Sequence, residues 1–250
     1  MATKYGVIVT STATLSLTAG SADASFPLSN LNGTRPDSVF KATGATCTIR
    51  ATFGGATTVQ AVSILNHNRP STSVTLSSSA GLSSALSLPA NTEDGQCVKG
   101  WKDLTGVSGS TGLTTLDFAI PTGSGNAAIG GLVIVTSLGT MDITWGVEHG
   151  DIHPLIEHRT EYDVSLIYDR GVRYRTFTGR VKKESERSAI TALHRTCKGR
   201  VTPFFFVPEH DVNDAMLVRF KATTLPWTRT NPRISEASID LEDVSGGLAL

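Results

Sequence analysis

Three histidines, His149, His153 and His158, stand close together among Glu148, Asp151, Glu157 and Glu161. Imidazole nitrogens and carboxylate oxygens are donors that divalent metals accept, provided that they converge on one point. Gly150 and Pro154 interrupt any helix that could align them. The segment therefore reads as an exposed connector, and no metal is expected there. Gly123-Ser124-Gly125 with Gly130-Gly131 has the composition of a phosphate-cradling loop. Its spacing is neither the dinucleotide nor the P-loop pattern, and a strand follows where a helix should open, so a turn is expected. Gly106-Val107-Ser108-Gly109-Ser110 misses the G-x-S-x-G nucleophile elbow by one residue, again with no helix behind it. Asp211 and Asp214 are near neighbours, but nothing around them predicts the burial that would drive two carboxylate pKa values apart. No catalytic set emerges, so neither an enzyme nor a cofactor is expected.

One cluster of charge stands out. Between residues 170 and 200 lie Arg170, Arg173, Arg175, Arg180, Lys182, Lys183, Arg187, Arg195, Lys198 and Arg200, against only Glu184 and Glu186. Residues 203–250 lean acidic, with Glu209, Asp211, Asp214, Glu236, Asp240, Glu242 and Asp243. The whole chain has 22 basic and 22 acidic residues, and that balance argues against bulk attraction to nucleic acid or an anionic membrane. Opposite-sign segments on a neutral chain suit docking between copies, with Arg173, Arg175, Lys182 and Lys183 as candidate interface residues.

The elements that must hold these residues are short strands. Over 250 residues, hydrophobic residues make up 39% and charged residues 18%, while Ser, Thr and Gly fill the difference. That composition favours strands and turns over helices. Thr46–Phe53 alternates polar and apolar positions, and Val59–Leu65, Ser73–Leu76, Gly131–Val135 and Met141–Trp145 read as further strands. Apolar runs such as Leu132–Val135 are far too short to cross a membrane. Lys4 before Gly6-Val7-Ile8-Val9 faintly mimics a leader peptide, but the stretch turns polar at Thr10-Ser11-Thr12. Cys47, Cys97 and Cys197 are odd in number with no C-x-x-C pair, which predicts buried free thiols and synthesis in a reducing cytoplasm.

After about residue 148 the composition changes, with charges denser and Ser and Thr sparser. Two domains are expected, 1–148 as a β-sandwich or jelly roll and 149–250 as a β-rich α+β unit with one helix. In the second part, Tyr162–Tyr168 and Val172–Thr178 read as strands joined by a tight hairpin at Asp169-Arg170-Gly171. A helix follows over about 186–198, with Ser185 able to cap it and Gly199 closing it. Thr202–Val207, Met216–Ala222 and Glu236–Glu242 complete the set as strands.

Taken as an ordered series, these units carry a resemblance. Phe26-Pro27-Leu28-Ser29-Asn30-Leu31-Asn32-Gly33-Thr34-Arg35-Pro36, then Val39–Thr43, then Val59–Asn68 resembles the opening of galactose-binding-like (discoidin-type) jelly rolls. Leu65-Asn66-His67-Asn68 looks like the form found in tail proteins of tailed bacteriophages, and Tyr162–Phe206 is similar to the core of tail-tip and distal-tail-type proteins. Phe40 stands where a Trp often follows the Arg-Pro turn, and Thr52-Phe53-Gly54 replaces a common Asp-Leu-Gly ending.

The resemblance implies a virion structural protein of a phage tail, made in the bacterial host cytoplasm. It would form a ring, a trimer or hexamer of the chain, linking the tail tube and hub to receptor-binding parts. The alternative is a carbohydrate-binding module recognising a host surface glycan. In this fold ligands sit in loops at one end of the sandwich, which here could include His67, Asn68, Arg69 and Trp101. His67 and Asn68 equally suit a plainer task, satisfying backbone groups at a strand end.

Overall fold

The computed structural model describes residues 3–32, 39–89, 99–141, 144–152, 155–159, 165–169, 174–181, 184–208, 215–231 and 234–244. The chain is mainly β, with a sandwich of two antiparallel sheets and one α-helix among the described residues. The smaller sheet orders β2 (Thr14–Ala19), β4 (Cys47–Thr57), β9 (Leu113–Ile120), β6 (Thr72–Ser78) and β7 (Ser83–Leu88). The larger contains, edge to edge, β11 (Thr144–Ile152), β14 (Tyr174–Val181), β18 (Ile234–Asp243), β16 (Met216–Phe220) and β15 (Phe204–Val207). It continues through β1 (Thr3–Ile8), β10 (Ala128–Met141), β5 (Ala61–His67) and β8 (Lys99–Asp103). Off this path, β3 (Phe40–Lys41) pairs with β10, and β17 (Thr228–Asn231) pairs with β18. A separate pair joins β12 (Leu155–Arg159) to β13 (Ser165–Asp169).

The alternation in β4 does what its sequence predicts. Cys47, Ile49, Ala51 and Phe53 face the sandwich core, and Arg50 on the other face makes a two-pronged ion pair with Asp117 on β9, each contact 2.7 Å. In contrast, β5 is buried at every position. Val62 and Ile64 meet Phe118 and Leu132 inside the sandwich, while Ala61 and Leu65 pack on the opposite face with Val133, Phe205 and Leu217. Both faces are covered, so no polar alternation is needed.

That second face turns the large sheet into a curl. Trp101 on β8 and Phe205 on β15 lie four strands apart in the order, about 19 Å across a flat sheet. Their ring centroids are 5.7 Å apart. Lys4 on β1 likewise pairs with Asp103 on β8. Residues from both halves of the chain thus share one apolar seam, and β1 is the strand between them, pairing β10 on one side and β15 on the other. Gly6 allows that approach, because a Cβ there would meet Val135 Cγ1 at 2.3 Å.

Helix α1 (Glu184–Thr196) covers the opposite face of the large sheet beyond β1. Ile190, Leu193 and Cys197 meet Phe204, Phe206, Val218, Phe220 and Leu241. The Phe204-Phe205-Phe206 run therefore splits, alternate rings going under the helix and Phe205 into the seam. At the helix C-terminus Gly199 has φ of 65° and donates its N–H to His194 O at 2.9 Å, the closure that a glycine after the last turn predicts.

One expectation needs correction. Consecutive strands β13 and β14 are not hairpin partners, since β13 pairs with β12 and β14 pairs with β11. Both edges of β14 are already taken, by β11 and β18, which leaves no side for β13. The Gly106–Ser110 segment is a structural turn leading into β9. Ser110 is buried and donates to Val107 O at 2.7 Å, and Gly109 O accepts from Ser78 Oγ at 2.8 Å. Gly109 has φ of 78°, and a Cβ there would sit 2.2 Å from Leu82 N. Gly109→Ala is thus expected to cost about 2 kcal/mol through positive-φ strain and overpacking, read from the midpoint of urea unfolding at unchanged slope.

Candidate functional site

Strand β5 ends at His67, and the chain turns through Asn68 and Arg69 toward β6, with Asn66 and Ser71 at positive φ. Asn68 fastens this turn to the strand opposite. Its Oδ1 accepts from Ala128 N at 3.0 Å, and its Nδ2 donates to Asn126 O at 2.7 Å. This is the backbone-satisfying task that a short amide at a strand end performs well.

Arg69 goes inward. It is 1% exposed, and every donor it carries finds an acceptor. Nε donates to Pro121 O at 3.1 Å. Nη1 donates to Asn68 O at 3.0 Å, Asn68 Oδ1 at 2.9 Å and Ser124 O at 3.1 Å. Nη2 donates to Ala45 O at 2.8 Å and Gly125 O at 2.9 Å. None of these acceptors is a carboxylate, so the cation is held by carbonyl dipoles alone, and burial pulls its pKa down from the usual value. A Cβ on Gly123 would lie 2.6 Å from Arg69 Cδ, which explains the glycine. The Gly123–Gly125 loop is therefore a cradle of the opposite polarity from a phosphate loop. It turns C=O groups inward around a cation, where a phosphate loop would turn N–H groups around an anion.

His67 lies beside this cage at 3% exposure. Its Nδ1 accepts from Arg69 N at 3.2 Å, and its Nε2 is buried without a hydrogen-bond partner among the described residues. Burial first, and the Arg69 charge second, lower its pKa to about 4, so the ring is neutral at pH 7. Cys47 is the other titratable neighbour of Arg69, and burial pushes its thiol up to about 11. A thiol held protonated there is no nucleophile.

The structure brings His67, Asn68 and Arg69 together and sets Trp101 elsewhere. Trp101 is paired with Ser63, four positions from His67 along β5, or about 13 Å. Its ring packs on Phe205, with Lys4 Nζ 5.8 Å from its centroid. Of the candidate interface residues, Arg175 falls on β14 with its side chain outside the described residues, and Arg173, Lys182 and Lys183 lie outside them altogether. His149 and His158 fall on β11 and β12 with side chains outside the described residues, and His153 lies wholly outside them.

A cavity of about 350 Å³ that sequence reading missed lies along the outer face of α1, bounded by Arg187, Ser188, Thr191, Ala192 and Arg195. The density of basic residues was its only sequence signal. Arg187 and Arg195 stand eight positions apart, about 12 Å along the helix. The Arg187 guanidinium lies 5.6 Å from the Trp227 ring centroid, and Lys198, Arg200 and Lys221 are exposed nearby in sequence or along the adjoining strand.

No family model matches this chain, and no curated protein matches it. Among solved structures, it is similar to the family 32 carbohydrate-binding module of Clostridium perfringens NanJ in complex with galactose, at 15% identity and a TM-score of 0.37, covering 52% of this chain and 98% of that one. It is similar to the lectin binding domain of lectinolysin complexed with Lewis b, at 10% identity and a TM-score of 0.39, covering 53% and 99%. A Streptococcus pneumoniae fucose binding module is similar at 10% identity and a TM-score of 0.38, covering 52% and 96%.

Proposed function

We propose that this chain is a non-catalytic building block that works by fitting against copies of itself, as a ring at a phage tail tip of the distal-tail type. Residues 1–148 and 149–250 are its two domains in this reading, with the tail tube and hub as further partners. One observation carries it. The β12–β13 hairpin pairs with no other strand among the described residues, and a lone two-stranded hairpin is marginal in water. A symmetric assembly would supply such a hairpin with a second surface. Native mass spectrometry and negative-stain imaging of the purified full chain should show rings of fixed copy number. A monomer at every concentration would overturn the reading.

A second reading, recognition of a surface glycan, has an observation of its own. The Arg69 cage fixes the turn at Asn68, the loop at Ala45 and the loop at 121–125 in one arrangement, which removes an ordering cost from any binding at that end. Saturable binding of a saccharide on a glycan array, lost on substitution of the half-buried Asn68 while the fold stays intact, would favour it over assembly.

A further inference from the structure

The face of α1 turned away from the sheet is cationic at both ends. Arg187, Thr191 and Arg195 stand four positions apart in one line, and Ser188 and Ala192 form a second line beside it. Together they bound the cavity of about 350 Å³, and no described carboxylate borders it. Glu186, the described acid of the first turn, lies toward the sheet instead. It is close enough to Tyr5, which packs against the core beneath the helix, to raise the phenol pKa alongside the larger effect of burial. Lys198, Arg200 and Lys221 are exposed near the C-terminal end, where Ala222 O lies 3.4 Å from His194 Nε2.

Helix stability alone does not account for this pattern. Arg195 stands in the last turn, where a cation complements the helix dipole, but Arg187 is the fourth residue of α1, where a cation opposes it. Arg187 is nonetheless held in place, its guanidinium carbon 5.6 Å from the Trp227 ring centroid. An aromatic contact uses the face of a guanidinium and an oxyanion binds at its N–H edges, so the two are compatible. The cavity is at the lower end of the roughly 300–1,000 Å³ that small-molecule sites occupy. That size suits a small ligand, and a nucleic-acid duplex is further opposed by the neutral balance of the chain.

We propose that this groove binds an acidic saccharide, a short chain of sugars bearing carboxylate or sulfate groups. Arg187 and Arg195, about 12 Å apart along the helix, each take one anionic group through paired N–H donors. Ser188 and Thr191 stand between them, and their hydroxyls donate and accept as sugar hydroxyls do. The small side chain of Ala192 leaves room for a sugar ring against the helix. An acidic peptide would find no apolar pockets for its side chains here, since Ala192 is the only apolar residue among the described ones that bound the cavity. The groove is on a different element from the Arg69 loop end, so it adds a second contact to the glycan reading and does not depend on ring formation.

Isothermal titration calorimetry of the full chain tests this with a hyaluronan tetrasaccharide, which carries carboxylates, and a chondroitin sulfate tetrasaccharide, which adds sulfates. Cellotetraose is the neutral control. At least one acidic probe should bind saturably and at least tenfold more tightly than cellotetraose, and added salt should weaken it. Arg187→Gln with Arg195→Gln should weaken that binding at least tenfold. Ala192→Phe keeps both arginines but fills the groove, and should weaken it as much. All of these positions are exposed, and an unchanged melting midpoint separates a lost site from a lost fold. Binding that survives both variants, or cellotetraose binding as tightly as the acidic probes, overturns the proposal. So does tetraglutamate binding as tightly with the same dependence on the arginines, which would make the groove a general anion site. An unaltered chain that binds neither acidic probe overturns it as well. None of these results reads copy number, so the assembly reading stands or falls by its own test.

Discussion

Arg69→Leu is expected to lower the unfolding free energy by about 4 kcal/mol, the largest loss from any single substitution at the loop end. The guanidinium makes five hydrogen bonds to three separate stretches of backbone and a sixth to the Asn68 side-chain oxygen, all in a site 1% exposed. Leucine fills part of the volume and offers no donor. The carbonyls of Ala45, Pro121, Ser124 and Gly125 then lose their shared partner, at about 1–3 kcal/mol for each that water cannot reach. The sum is not additive, because burying the cation itself costs desolvation, which leucine removes. Arg69→Lys should recover only part of the loss. An ammonium has the charge but no planar fork, and it cannot span from Ala45 on one side to Ser124 on the other. At this chain length the leucine variant should melt roughly 12 °C lower, from about 2–4 °C per kcal/mol. A calorimetric drop equivalent to under about 1 kcal/mol would mean that the cage is not what holds the loops.

How far such features can be read in advance depends on where their partners lie in the chain. Strand β4 was legible because its alternation is local and one face stays polar. The helix was legible from its stripe of Ile190, Leu193 and Cys197 and from Gly199, all within one segment. Strand β1 was not. Lys4 and Gly6–Val9 suggested at most a faint leader, because what makes them a strand is pairing to Gly139 and Phe206, more than a hundred residues away. The hairpin expected at Asp169-Arg170-Gly171 failed for the same reason, since β14 is claimed by β11 and β18 and no local turn signal reports that.

The loop end was legible in its parts and not in its geometry. His67, Asn68 and Arg69 stood out as residues that could recognise a ligand, and the 123–125 glycines as a loop with a task. An arginine in a polar turn ordinarily reads as exposed charge, since arginine is rarely buried without a paired acid. Only the convergence of carbonyls from Ala45 and the 121–125 loop turns it inward, and that convergence joins segments 24 to 56 positions from Arg69.

Acid should act on the same place. His67 has an ordinary pKa of 6.5, which the fold lowers to about 4. Being a base with a depressed folded pKa, it is neutral in the native chain between these limits while the unfolded chain takes up a proton. The unfolded state therefore binds more protons in that window, and stability falls as pH drops below about 6.5 and stops falling for this group near 4. A shift of this size corresponds to about 3 kcal/mol. Carboxylates add their own losses in acid, so the measurement is a difference, comparing unfolding free energies of the unaltered chain and His67→Gln at pH 7 and pH 4.5. The glutamine side chain does not titrate, so the variant should keep more of its stability in acid, and the two profiles should run parallel below pH 4. Profiles already parallel between pH 7 and pH 4.5 would mean that the imidazole is solvated or charged in the native state. Arg69 carries the second cause of the depression. In an Arg69→Leu background the repulsion from the guanidinium is gone and the loosened loops admit more water to the ring, so both causes weaken and the acid slope attributable to His67 should shrink. A slope as steep as that of the unaltered chain would mean that neither the guanidinium nor the loops it fastens keep His67 neutral.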